Sequence, residues 1–183
     1  MKKIILTVFA ASSLLLYSTP SFALINFSVG VPLSHTFTGK DTSGNDVESD
    51  GASGYFIQIG VPMLPGIGMD SYKTKLKCAS CDKELSVSTT MYNLYYLLPI
   101  PIVNLTIGLG TGKTQLESGG VAGDDGTATQ FYTSIGVPLI PLFDIHLSYR
   151  SISSKIESTS GDDKGKKDDV GGSVMGLGIG FNF

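Results

Sequence analysis

The sequence predicts an all-β fold, an eight-stranded antiparallel up-and-down transmembrane β-barrel. Three observations carry that prediction. Large apolar residues alternate with glycine and small polar residues through most of the chain, which is the side-chain period of a β-strand. The connections between alternating runs switch regularly between short proline-bearing turns and mostly longer polar loops. Beyond the N-terminal segment, no apolar run approaches the roughly 20 residues that a spanning helix needs, so a membrane crossing has to be made by strands.

The first residues read as an address rather than as part of the fold. Lys2 and Lys3 precede a mostly apolar run from Ile4 to Tyr17, and Ser21-Phe22-Ala23 is a small-x-small cleavage site. Residues 1–23 are therefore expected to be a cleaved secretory signal peptide, and residues 24–183 the barrel domain. Ser12 and Ser13 interrupt the run and Ser18 and Pro20 follow it, which argues against a retained helix. Cleavage removes two of 13 basic residues and leaves 11 against 16 acidic ones, a net charge of −5. Phosphate contacts need clustered Lys and Arg, so a nucleic-acid partner is not expected.

In chain order, the first candidate strand spans Ile25 to Thr38, with Ile25, Phe27, Val29, Val31 and Leu33 on one face and Asn26, Ser28, Gly30 and Ser34 on the other. Pro32 cannot donate to a ladder, which predicts a bulge or kink there. Gly39 to Ser53 reads as a polar loop. The second strand, Gly54 to Met63, sets Tyr55, Ile57, Ile59, Val61 and Met63 against Gln58 and Gly60, and Leu64-Pro65-Gly66 turns it. The third, Ile67 to Lys77, alternates cleanly only at Ile67 and Met69 before Lys73, Lys75 and Lys77. The fourth, Leu85 to Leu98, changes parity near Thr89 and Thr90, which reads as a bulge. Beyond it Tyr92, Leu94, Tyr96 and Leu98 share the apolar face.

After Pro99-Ile100-Pro101, the fifth strand opposes Val103, Leu105, Ile107 and Leu109 to Asn104, Thr106, Gly108 and Gly110. Ser118 to Gly126 reads as a loop. The sixth sets Phe131, Thr133, Ile135, Val137 and Leu139 against Gln130, Tyr132, Ser134 and Gly136. The seventh sets Phe143, Ile145, Leu147 and Tyr149 against Asp144, His146, Ser148 and Arg150. Gly161 to Val170 is a charged loop whose four Asp are largely offset by Lys164, Lys166 and Lys167. The closing run, Ser173 to Phe183, places Met175, Leu177, Ile179, Phe181 and Phe183 opposite Gly176, Gly178, Gly180 and Asn182.

One face of these strands suits hydrocarbon. The other, rich in glycine and poor in charge, is a weak exterior for a soluble barrel that holds its apolar side chains within, but it suits a crowded narrow interior. Tyr55, Phe131, Tyr149, Phe181 and Phe183 supply the interfacial aromatics in a chain without Trp. On the inward face, Gln58, Asn93, Gln130, Asp144, His146 and Arg150 form the expected lumen polar network.

The closing strand, ending on an aromatic, resembles the last strand of bacterial outer-membrane barrels, in which the terminal Phe is an assembly signal. Nearly the whole mature chain resembles the small eight-stranded outer-membrane class, especially members with Pro-x-x-Pro periplasmic turns such as those from Pro62 and Pro138. The resemblance implies an outer-membrane location, membrane lipids and the barrel-assembly machinery as partners, and Phe183 as the assembly signal. On function the resemblance says little; the leading expectation for the chain itself is a structural or surface-interacting role through the four outward loops, with an unknown surface ligand. The alternatives are a narrow channel or transfer path for small or apolar molecules, and a lipid-modifying enzyme.

That last alternative rests on His146-x-Ser148, which looks like the His-x-Ser pair of outer-membrane lipid A deacylases, where His activates a Ser nucleophile. Here Tyr149 and Arg150 replace the Asn and Ala that follow in that family, and Ile145 and Leu147 turn the pair inward. No catalytic residue is therefore assigned beyond these two weak candidates. Gly108 to Thr114 mimics a phosphate-binding loop, but Ile107 stands where its first glycine belongs. Cys78-Ala-Ser-Cys81, in an exported chain, is read as a loop-pinning disulfide. No metal site and no cofactor are expected.

Overall fold

The computed structural model describes residues 25–39, 47–61, 64–77, 84–100, 103–119, 121–140, 142–157 and 167–182. The expected signal peptide, Cys78, Cys81, Phe183, and the turn residues Pro62, Pro101 and Pro141 lie outside the described residues. The strands are β1 (Asn26–Phe37), β2 (Ser49–Gly60), β3 (Pro65–Leu76), β4 (Leu85–Pro99), β5 (Asn104–Ser118), β6 (Val121–Ile140), β7 (Phe143–Glu157), β8 (Lys167–Asp169) and β9 (Gly172–Asn182). β1 to β7 each pair antiparallel with the next. β9 then pairs with both β7 and β1, which closes the cylinder. The short β8 continues the β9 position upward along β7, so β8 and β9 make one stave of eight.

The short turns lie at one rim. Leu64 N–H donates to the Val61 carbonyl, and Ile100 and Val103 exchange both backbone hydrogen bonds, so these strands reverse within a few residues. By the usual polarity of such barrels this is the periplasmic rim.

The apolar face of every strand points away from the axis. Ile57, Ile67, Leu94, Leu109, Ile135, Leu147 and Leu177 are all exposed, whereas their chain neighbours toward the axis are mostly covered. That arrangement answers the choice between a soluble and a membrane barrel. On β6 the outward run from Phe131 to Leu139 covers about 20 Å of the membrane normal at the usual strand tilt. Tyr55, Tyr92, Phe131 and Tyr149 stand exposed at its upper boundary. Near the lower one, the Phe181 ring meets Phe143 edge to face at 4.9 Å between centroids and lies tilted to Phe27 at 6.2 Å. Inside, glycines face bulky partners: a Cβ at Gly108 would strike the Tyr132 ring, one at Gly66 the Tyr95 ring, and one at Gly176 the Phe56 ring.

Several local expectations are corrected or refined. The β1–β9 register does shift between Pro32 and Ser34, at the expected bulge, but the shift leaves both Leu33 and Ser34 exposed, so Ser34 is not on the inward face. No bulge occurs at Thr89 and Thr90, because β4 keeps continuous register with both neighbours there. The parity change is instead an inversion of polarity with height. Above the lipid belt the outward residues become Ser88, Ser71, Lys73, Ser151 and Ser153, while Val87, Met91, Tyr72, Ile152 and Ile156 fill the interior. The same inversion hid β3, which is a full 12-residue strand.

The expected loop from Ser118 to Gly126 is mostly strand. β5 and β6 form a tight hairpin around Gly119, whose φ of +58° lies in the left-handed region that glycine tolerates. Likewise Lys167–Asp169, expected as loop, is strand β8.

Ile135→Arg, at the middle of the belt, should lower stability by roughly 2–4 kcal/mol, whereas Thr127→Arg above it should cost about 1 kcal/mol or less. Urea unfolding in phospholipid vesicles measures both. Equal costs would mean that the belt is not where lipid lies.

Candidate functional site

The inward face builds three levels along the axis. In the middle, Arg150 on β7 reaches across the bore to Asp70 on β3, with Nε 3.0 Å from Oδ2 and both side chains almost fully buried. β3 and β7 are four staves apart among eight, so this ion pair lies along a diameter. A second strut crosses from β2 to β6, where Gln58 Nε2 donates to Tyr132 Oη at 3.0 Å. Neighbouring staves of an eight-stave ring stand about 45° apart, so the two struts cross the bore at about 45° to one another and fill its middle with side chains.

Each strut is braced. Gln130 Nε2 donates to Asp70 Oδ2 and to Asn93 Oδ1, both at 2.6 Å. Ser28 donates to Gln58 Oε1. The Arg150 guanidinium lies 3.5 Å over the Phe56 ring, a cation–π contact that covers one face of a buried charge. Its Nη1 donates to Ser148 Oγ, which in turn donates to the Gly176 carbonyl.

Above this level the bore fills with Phe56, Tyr72, Ile152 and Val174, and His35 Nδ1 lies 2.9 Å from Thr74 Oγ1. Below it, toward the short turns, Asp144 Oδ2 accepts from Asn104 and Asn182 at 2.9 and 3.0 Å. His146 Nδ1 lies 3.3 Å from Asp144 Oδ1. The small cavity at this mouth, about 20 Å³ and lined by Ser28, Gln58, Asn104, Asp144 and His146, has room for about one water molecule.

The sequence-derived residues thus fall into two groups. Gln58, Asn93, Gln130 and Arg150 belong to the central struts, and Asp144 and His146 to the lower mouth. Asp144 and Arg150 do not compensate one another: each has its own partners. His146 and Ser148 share a face but not a hydrogen bond, because Asp144 takes the imidazole and Gly176 and Arg150 take the hydroxyl. Asp70 was missed in the sequence, although it is the one acid between Met69 and Lys73 and sits where an inward partner for Arg150 belongs.

No family model and no curated protein matches the chain. Solved structures do match. Neisserial surface protein A is 12% identical, with a TM-score of 0.53 over 87% of this chain and 97% of that one. OprG of Pseudomonas aeruginosa is 12% identical, with a TM-score of 0.56 over 88% and 96%. Outer membrane protein W of E. coli is 10% identical, with a TM-score of 0.54 over 89% and 100%. The fold is that of the small eight-stranded outer-membrane barrels. At these identities the likeness concerns the path of the backbone, and the struts are read from this chain alone.

Removing one end of the buried ion pair leaves the other charge without a partner. Asp70→Leu should therefore cost roughly 3–5 kcal/mol, and adding Arg150→Met should restore most of it. The readout is the urea midpoint in vesicles. If the double variant were no more stable than the single one, the bridge would not be the source of the loss.

Proposed function

We propose that the protein is an exported outer-membrane barrel whose role is structural or surface-interacting, exerted at the rim opposite the short turns. The observation that supports this reading is the crossed pair of struts, Asp70–Arg150 and Gln58–Tyr132, which sets buried side chains across the bore. A channel needs that bore, and a rim-borne role does not. The upper strand ends also favour the reading. β6 runs for 20 residues, well past the lipid belt, and carries outward Thr127 and Asp125 above it. Ion pairs along the same outer height, Lys73–Glu117, Lys75–Glu84, Lys77–Glu48 and Lys113–Asp125, keep the wall wettable, and the last three, exposed at both ends, add little stability. The strand ends flanking residues 40–46, 78–83 and 158–166 all lie at this rim, with any disulfide between Cys78 and Cys81 belonging to the second connection.

In planar bilayers the purified barrel should pass no current above that of the bare membrane; steady single-channel steps would overturn the blocked-bore reading. Cells displaying the barrel should adhere to serum-protein- or glycan-coated surfaces more than cells displaying a variant with residues 40–46 and 158–166 replaced by short Gly-Ser linkers. Equal adherence and equal autoaggregation in every arm would remove the rim-borne role. Ser148→Ala and His146→Ala should leave the lipid A profile of the host cell unchanged, and an altered profile would reinstate the enzyme reading.

A further inference from the structure

The outer wall is not uniform around the cylinder. Just above the belt the outward residues are hydroxyls on β4 (Thr90, Ser88), β6 (Thr129, Thr127) and β7 (Ser151, Ser153), whereas β3 and β5 carry Lys73 and Lys113 one outward position above Ser71 and Thr111. Over β5 to β7, two rungs of the ladder lie one above the other. The lower rung is Leu109–Phe131–Ser151 and the upper is Thr111–Thr129–Ser153, each in direct register across β5, β6 and β7. The bulky wall formed by Leu109 and Phe131 therefore drops abruptly to Ser151 on one side and to Thr129 and Ser153 above. The result is a groove of about 470 Å³ lined by these residues with Gly110 and Gln130 at its floor. That volume lies within the range of sites that hold small ligands.

Leu109 is the most exposed large apolar side chain among the described residues, at 66%, and Phe131 is 51% exposed. Thr129, Ser151 and Ser153 are exposed beside them, while Thr111 turns its hydroxyl to the Ala128 carbonyl. No charged side chain lines the groove. Lys113, the nearest cation on β5, is held by Asp125, and Lys155 stands one outward position above Ser153.

We propose that this groove is a site for one acyl lipid of the surrounding leaflet. Its chain lies along Leu109 and Phe131, and its ester or amide carbonyls accept hydrogen bonds from Ser151, Ser153 and Thr129. Two features single out that occupant. The lower half of the groove is continuous with the lipid-facing belt, so lipid is already its neighbour. The upper half offers three uncharged donors at the depth where hydrocarbon gives way to carbonyl groups, and offers no cation for a phosphate.

Because the chain has no Trp, a single introduced Trp reports its own surroundings. Phe131→Trp places it in the groove. Tyr55→Trp places it at the same boundary on β2, diametrically opposite. Each variant is refolded into vesicles mixing brominated ester-linked phosphatidylcholine with unbrominated ether-linked phosphatidylcholine, which lacks the carbonyls, and bromine quenching is followed against composition. At Tyr55→Trp, quenching should follow random mixing. At Phe131→Trp it should run above it, corresponding to a roughly five- to tenfold preference for the ester lipid. Adding Ser151→Ala, Ser153→Ala and Thr129→Val should abolish the excess.

Coincident curves for the two reporters would overturn the site. An excess that survives loss of the three hydroxyls would overturn the carbonyl recognition. The three hydroxyls lie on the outside of the wall, so folding of every variant is checked by its faster gel migration before boiling.

Discussion

A backbone in hydrocarbon has no water to satisfy its N–H and C=O groups, so a sheet can cross a membrane only if it has no free edge. In this chain that condition is met by one ladder, β1 against β9, which pairs from Asn26↔Asn182 to Phe37↔Gly172. Both strands carry glycine on the inward face. At Gly178 and Gly180 a Cβ would collide with His146 and Asp144, so the closing strand can take its place only because it brings almost no side-chain volume inside. Closure and lumen content are therefore one problem. The interior of an eight-stranded cylinder holds few large groups, and the bulky rings admitted, Tyr95, Tyr132 and Phe56, are each matched by a glycine packed against them.

Inside that cramped bore the chain places an ion pair, which is costly to desolvate and rewarding only when its remaining donors and acceptors are used. Gln130, Ser148 and the Phe56 ring meet that requirement around Asp70 and Arg150. The gain is geometric as much as energetic. Bonds along two diameters fix the cross-section from within, as the ladders fix it around the circumference.

Much of this was legible in the sequence. Phe143, Ile145, Leu147 and Tyr149 against Asp144, His146, Ser148 and Arg150 announce a strand and its two faces, and the glycine-rich closing run does the same. Pro32 marked its bulge because a missing N–H leaves a local trace. What stayed hidden depended on height and on distance. Where strands leave the lipid, the outward residues turn polar and the inward ones apolar, so Thr89 and Thr90 looked like a slip and β3 looked weak. Asp70 was invisible as Arg150's partner because the two residues stand 80 positions apart and meet only across the closed circle. His146 and Ser148 looked like a reactive pair from spacing alone; their actual partners come from β9 and from within β7, which spacing does not report.

The diametric bridge also bears on how the cylinder comes into being. Neighbouring hairpins can zip one after another, each gaining its own ladder as it forms, but Asp70 and Arg150 belong to staves that never touch edge to edge. Their attraction is absent from every single hairpin and every shorter arc, and appears only once the staves from β3 to β7 have curled round to face one another. It acts as a keystone: it does nothing for the half-built arch and locks the finished one.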